Sequence, residues 1–315
     1  MKRLRSPKLW GWVALLALGL AAPLLVYPVF AMNVLCLALF ASAFNLLLGY
    51  TGLLSFGHAA FLGSAAYVTG YAAKVWGLPT ELAVLAGTAV ATALGAIFGS
   101  LAIRRSGIYF AMITLGFAQM VYFFIVQMPW TGGEDGLQGI PRGKALGFIA
   151  LDRPYPMYYF ALAAFLGGFW LVYRTIHSPF GHVLRAIREN EPRALSLGYD
   201  VARYKLVAFV ISAGLAGLAG SLKAVVLQFA SLSDVHWHLS GQVVLMTLLG
   251  GMGTVMGPSV GALLVLVLEN YLAGVGSWVN VITGGVFVVC VLAFRRGIVG
   301  EVRAVVKRSF IGVKP

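Results

Sequence analysis

Five polar side chains, Asn45, Ser55, His58, Thr114 and Gln119, sit within or beside long runs of apolar residues. A polar group is expensive in such surroundings, so each is a candidate contact for a solute passing through them. Simpler roles stay open as well. Ser and Thr commonly hydrogen-bond their own helix backbone, and His58 can lie at the edge of its run. Further chemistry is sparse. There is no H-E-x-x-H metal-protease sequence and no G-x-x-x-x-G-K-[ST] phosphate loop. The single Gly-Lys pair, Gly143-Lys144, is followed by Ala145.

The elements that must hold these groups follow from composition. Of 315 residues, 60% are hydrophobic and only 10% charged, with a mean hydropathy of +0.89. A soluble domain carries about 25% charged residues, so the deficit calls for lipid around much of the surface. At roughly 20 apolar residues per helical crossing, the chain has material for about ten crossings and little else. The net charge is +13. A basic balance can mark a nucleic-acid binder, but here the charges fall in short gaps between apolar runs. That distribution orients a membrane protein, and no nucleic-acid partner is expected. Cys36 and Cys290 lie inside apolar runs without CxxC or Cys/His spacing, and His236 and His238, in an outward turn, read as solvated residues. Neither a disulfide framework nor a metal site is expected.

Candidate spans are 9–27, 29–50, 56–77, 80–103, 107–128, 156–174, 205–229, 240–253, 257–273 and 277–294. Each is read as a helix, because a helix satisfies its own backbone in lipid, so the fold class is an all-α integral membrane protein. Lys2, Arg3, Arg5 and Lys8 precede an apolar run that continues into a second, with Pro23 and Pro28 where a cleavage site would fall; this reads as an uncleaved first span. The tail 1–8, the turn 104–105, the segment 174–205 and the tail 295–315 hold 18 of the 23 basic residues. With these on the cytoplasmic side, both termini are cytoplasmic and the number of crossings is even: ten, or eight with two re-entrant segments. One membrane-spanning domain then covers 1–315. Its membrane region is 9–294, its longest outward loop 129–155, its longest inward loop 174–205 and its tail 295–315.

Two glycine-rich stretches interrupt this pattern, at 49–58 (Gly49, Gly52, Gly57) and 250–258 (Gly250, Gly251, Gly253, Gly257). Glycine tolerates positive φ, and Pro258 cannot continue an upstream helix. Both stretches follow a span running inward and precede one running outward, a weak internal repeat with an offset near 201. Broken helices at corresponding positions of two halves point to a substrate path. The alternative is close helix packing through small residues, as at Gly214, Gly217 and Gly220.

The inward segment opens with turn chemistry at Ser178-Pro179-Phe180-Gly181. Val183, Leu184 and Ile187 then space an apolar helical face. Arg185 and Glu189 form an i,i+4 pair on the polar face. Pro192 opens a second short helix and Gly198 closes it. Two amphipathic helices lying on the cytoplasmic side make a docking surface, or an ordinary interfacial loop.

This segment resembles the cytoplasmic coupling loop of permeases in the branched-chain amino acid (leucine/isoleucine/valine) ABC importer family. The match runs through Ser178–Gly181, Leu184–Asn190, Leu197–Gly198 and Arg203–Leu206, and extends to LLLGYTGLLSFGHAAF (46–61), TGGEDGLQGIP (131–141) and LGGMGTVMGPSVGA (249–262). His182 departs from the usual Arg or Lys, and Pro192-Arg193 replaces the small residues that follow Glu191 in the family. The resemblance implies that the chain is not an enzyme and carries no cofactor, ATP and Mg being bound by a partner ATPase. It implies a second related permease, two cytoplasmic ATPases, an external solute-binding protein, and a place in the inner membrane of a prokaryote. It assigns ATPase coupling to Ser178, Pro179, Phe180, Gly181, Arg185, Arg188, Glu189, Asn190, Glu191 and Gly198. Gly132, Gly133, Glu134, Asp135 and Gly136 would meet the binding protein. Asn45, Gly49, Gly52, Ser55, His58, Thr114, Gln119, Gly250, Gly253 and Gly257 would line the path of the zwitterion. A permease for urea or another small polar solute, or a secondary transporter, are the rival readings. Glu269 and Lys223 are expected at the interface, Lys223 snorkelling outward.

Overall fold

The computed structural model describes residues 19–145, 147, 149–272, 274, 279–293 and 297–301. The expected span 9–27 is helical over 19–25, its earlier residues lying outside the described ones, as does most of the tail 295–315. The other apolar runs fold as helices: α1 (Pro28–Thr51), α2 (His58–Lys74), α3 (Thr80–Ala102), α4 (Ile108–Gln127), α5 (Pro154–Ile176), α8 (Val201–Leu227), α9 (Trp237–Gly250), α10 (Gly257–Leu272) and α11 (Val279–Ala293). Two short helices, α6 (Pro179–Glu189) and α7 (Glu191–Ser196), lie between α5 and α8.

Five of these, α1, α3, α4, α5 and α8, are long and apolar enough to cross a membrane. The chain is a multi-pass helical membrane protein. The remaining apolar helices, α2, α9, α10 and α11, have 17, 14, 16 and 15 residues. They fall short of the roughly 20 residues of a full crossing. The expected span 56–77 is shorter than its apolar run because Phe56 and Gly57 belong to an irregular segment that the hydroxyls of other helices hold in place.

Helices that are apolar all round give no stripe to read, and the structure sorts them by packing. Helix α1 is enclosed by α5, α8, α9 and α10, and α8 packs along α1, α2 and α3. The approach of α8 to its neighbours is set by small residues. A Cβ on Gly220 would stand 1.9 Å from the Leu62 carbonyl oxygen, and one on Gly217 would stand 2.3 Å from Ala91 Cβ. A hydroxyl pair, Thr69 donating to Ser221 at 2.8 Å, adds a polar tie between α2 and α8. Close backbones and small polar ties are what hold helices together where lipid removes the hydrophobic drive.

One end of the bundle carries 75–79, 128–153 and 228–236, and is tied across distant elements. Strand β1 (Leu137–Gln138) pairs antiparallel with β4 (Phe229–Ala230), Leu137 opposite Ala230, and β2 (Lys144–Ala145) with β3 (Ile149–Ala150). Arg142 donates to the Val226 carbonyl at 2.7 Å, Lys74 to Gln138 at 2.8 Å, and Thr80 to Arg142 at 2.5 Å. We call this the cap face. The opposite end carries 52–57, 103–107, 177–200 and 251–256. The chain returns to it after α11, where Gly297 packs on Gly251.

Candidate functional site

Both glycine stretches lie at this second end, and they touch. Each break is six residues long, 52–57 between α1 and α2, and 251–256 between α9 and α10. Each holds a left-handed glycine, Gly52 with φ 76° as the first residue of its break and Gly253 with φ 75° as the third of its own, where Gly251 adds a further positive φ of 121°. A residue with a Cβ costs roughly 1–2 kcal/mol there. Gly52 turns its own N–H and that of Leu53 back onto the Leu47 carbonyl, which ends α1.

Asn45 joins the two breaks. Its amide nitrogen donates to the Thr254 carbonyl at 2.8 Å, and its Oδ1 accepts from the Gly253 N–H at 2.9 Å. Gly49 is where the segments are closest, since a Cβ there would stand 2.1 Å from Asn45 Oδ1 and 2.7 Å from Gly253 N. Gly250 and Gly257 act by close packing. A Cβ on Gly250 would stand 1.8 Å from the Gly257 carbonyl, so these two glycines bring α9 and α10 together.

Ser55, His58 and Thr114 are all buried, and hydrogen bonds account for most of their polar atoms. The first N–H groups of a helix have no helical partner. Around the start of α2 they are met by hydroxyls: Ser55 accepts from Gly57 at 3.2 Å, Thr114 from Phe56 at 3.1 Å, and Ser240 of α9 from Ala59 at 2.9 Å. His58 Nε2 lies 2.8 Å from Ser212 Oγ, which donates to the Ala43 carbonyl at 2.6 Å. The Ser212 hydroxyl has one proton, so the imidazole carries its own on Nε2 and leaves Nδ1 as a bare acceptor without a partner. His58 is fully enclosed by the bundle at the start of α2. Its ring is wedged edge-on between Phe44, Phe61 and Phe209. Gln119 is half-buried on α4.

The inward segment folds as two capped helices. Ser178 is the N-cap of α6 rather than part of a separate turn, accepting from the Gly181 N–H at 3.3 Å, with Pro179 at the first helical position. Asn190 ends α6 and caps α7, accepting from Arg193 at 3.0 Å, and Gly198, at φ 86°, follows α7. Gly181, Leu184 and Ile187 face the bundle, and Phe180 stacks on Tyr204 of α8 at 5.5 Å. Glu191 pairs with Lys205 at 2.6 Å, a cation the sequence did not mark.

The expected Arg185–Glu189 pair is not formed among the described residues. Arg185 turns back instead and donates to the Gly181 carbonyl at 3.3 Å and to that of Ile176 at 3.0 Å, the last residue of α5, whose acceptor the helix end leaves open. Arg188 goes inward. Its Nη1 donates to the Gly49 carbonyl at the end of α1.

At the cap face, Gly132, Gly133 and Gly136 take positive φ and shape two single turns around exposed Glu134 and Asp135. Lys223 is half-buried and pairs with Asp234 of the cap face at 2.5 Å, and Gln242 donates to Glu269. Residues 257–261 read G-x-S-x-G, the pattern of a hydrolase nucleophile turn. Here they open α10 without a preceding strand, and the Ser259 hydroxyl meets Ser42 at 3.3 Å rather than a base. Among the described residues no group of three His, Cys, Asp or Glu is placed to hold a metal. An apolar crevice of about 270 Å³ between α9, α10 and α11, lined by Leu249, Leu264 and Phe287 among others, has no charged side chain.

Residues 29–291 match the family described as "Branched-chain amino acid transport system / permease component". The chain is 28% identical to the "High-affinity branched-chain amino acid transport system permease protein LivM" of Escherichia coli (strain K12), over 94% of this chain and 76% of that one. Identity to the protein of the same name from Salmonella typhimurium is 27%, over 84% and 67%. The "Autoinducer 2 import system permease protein LsrC" of Klebsiella pneumoniae is 31% identical over 53% of this chain and 50% of its own length. No solved structure matches.

Proposed function

Because the chain belongs to the family of branched-chain amino acid transport system permease components, we propose that it is the membrane-spanning permease subunit of an ABC importer for those amino acids. The observation that carries this reading on structural grounds is α6, a capped amphipathic helix seated against the meeting point of two broken helices. The chain is a transport component. Hydrolysis of ATP with Mg belongs to two partner ATPases, which dock on 178–198. A second, related permease completes the membrane part, and an external binding protein delivers solute at the cap face, near Glu134 and Asp135.

In this reading the chain crosses the inner membrane of a prokaryote ten times with both termini cytoplasmic, the shorter helices α2 and α9–α11 completing their crossings together with the breaks. The break face is cytoplasmic, in keeping with Arg104, Arg105, Arg174, Arg188, Arg193 and Arg203 at that end. The breaks lie where a path closes on that side. Gly49, Gly52 and Gly253 form the constriction, Asn45 ties its two halves, and Ser55, His58 and Thr114 hold the first break in shape. Gln119 and the bare Nδ1 of His58 remain as polar contacts for the zwitterion. The resemblance to a permease of the autoinducer-2 system supports one second reading, a small polar solute.

The test is purification of the complex and its reconstitution in vesicles with its binding protein. Uptake of leucine, isoleucine or valine that requires ATP is the expected result. ATP-dependent uptake of a polar solute such as urea instead would establish the second reading. Uptake without ATP by the chain alone would overturn both.

A further inference from the structure

The last carbonyls of α1 have no helical donor once Gly52 turns left-handed, and the helix dipole places partial negative charge there. Arg188, from an element 139 residues away in sequence, supplies the donor at Gly49. Its contacts go further. Its Cγ lies 3.2 Å from where a Cβ on Gly52 would stand, and its Nη1 lies 3.3 Å from the same point on Gly253. One side chain therefore lies against both left-handed glycines while holding the carbonyl between them. Asn45, one helical turn before Gly49, fixes the second break to the same end of α1. Arg188 is otherwise exposed, so its outer side faces whatever docks on α6.

We infer that Arg188 is a positioning residue that carries movement of α6 to both glycine breaks at once; the inference rests on the reading of α6 as the ATPase-docking helix. An arginine suits the task. Its fork is planar and permanently charged, and one face of it spans a gap that a lysine ammonium meets only as a point. When a docked ATPase shifts α6, the bond to Gly49 pulls on α1, and Asn45 passes the pull to 253–254.

The experiment uses the whole complex in vesicles and reads solute moved per ATP hydrolysed. With Arg188→Gln this ratio falls about tenfold, the scale of one lost hydrogen bond to a charged group. With Arg188→Lys it falls less, because one donor still reaches Gly49. An unchanged ratio in both variants overturns the inference. Cross-linking from Glu189→Cys, with Cys36 and Cys290 replaced, separates this failure from that of the docking reading. A cross-link to the ATPase with an unchanged ratio removes Arg188 alone. Absence of any cross-link removes the docking reading and the inference together. If Arg188→Gln does not assemble, spin labels at His182 and Met252 carry the test in the otherwise unchanged chain. ATP binding should leave their separation constant while each moves relative to a label at Tyr109. A changing separation overturns the coupling.

Discussion

The two glycine breaks have the same length and each holds a left-handed glycine, yet their surroundings differ. The second closes on its own hydroxyl and is tied to α1 by Asn45. Thr254 closes it locally, accepting from Gly257 and donating to Gly251, and α9 and α10 fold against one another as a tight hairpin. The first is open. Its helices α1 and α2 make almost no contact with each other, α8 lies between them, and although Ser55 meets Gly57 from within, the N–H groups of Phe56 and Ala59 are met by hydroxyls of α4 and α9. A glycine fixes how the chain turns, whereas the angle between the flanking helices is decided by what they pack against. A repeat in sequence thus becomes one fixed corner and one corner whose shape depends on three other helices.

This contrast can be broken at the fixed corner. A Cβ on Gly261 would stand 1.8 Å from the Met246 carbonyl, a backbone atom that cannot move aside. Gly261→Ala should cost about 3 kcal/mol, the upper range for overpacking, read as a lower unfolding temperature in detergent. Asn45→Leu leaves the Gly253 N–H and the Thr254 carbonyl without their partner, and should cost about 2 kcal/mol. It should also uncouple the corners, so that a substitution in one no longer changes the effect of a substitution in the other. Gly52→Ala and Gly253→Ala should each cost about 1–2 kcal/mol from backbone strain. Similar losses would sharpen the likeness of the turns, and a large inequality would deny it. The smallest effect belongs to the open corner. Thr114→Val removes one borrowed hydroxyl from Phe56, for about 0.6–1 kcal/mol, and should lower uptake more than it lowers the unfolding temperature.

Much of the bundle was legible, because an apolar run ends where Gly, Pro or a charge interrupts it. The run 29–50 appears as α1 at 28–51, and 80–103 as α3 at 80–102. The left-handed turns at Gly52 and Gly253 follow from glycine itself. What was hidden is which helices are central, since a lipid-facing and a protein-facing helix share one composition. The partners of the charges were hidden as well. Arg185 and Glu189 have the spacing of an ion pair, but the Ile176 carbonyl freed at the end of α5 competes for the arginine and wins. Asp234, the counter-ion of Lys223, sits beyond the end of α8, where helical spacing gives no guidance. Arg188 and Gly49 meet only because the bundle brings them to one end. The sequence placed the first in a docking loop and the second in a path, with no sign that they touch.

The cap face is laced by strand pairs and by Arg142, Lys74 and the Lys223–Asp234 pair, so the upper end of α8 is anchored on several sides. Helix α8 has 27 residues, which at about 1.5 Å of rise each makes an arm about 40 Å long. A tilt of roughly 5° about that end would carry the other end, where α6 and α7 are attached, through about 3 Å, the length of one hydrogen bond. If α6 follows α8 through the Phe180–Tyr204 stack and the Glu191–Lys205 pair, a tilt of that size is on the scale of the one hydrogen bond that joins Arg188 to Gly49.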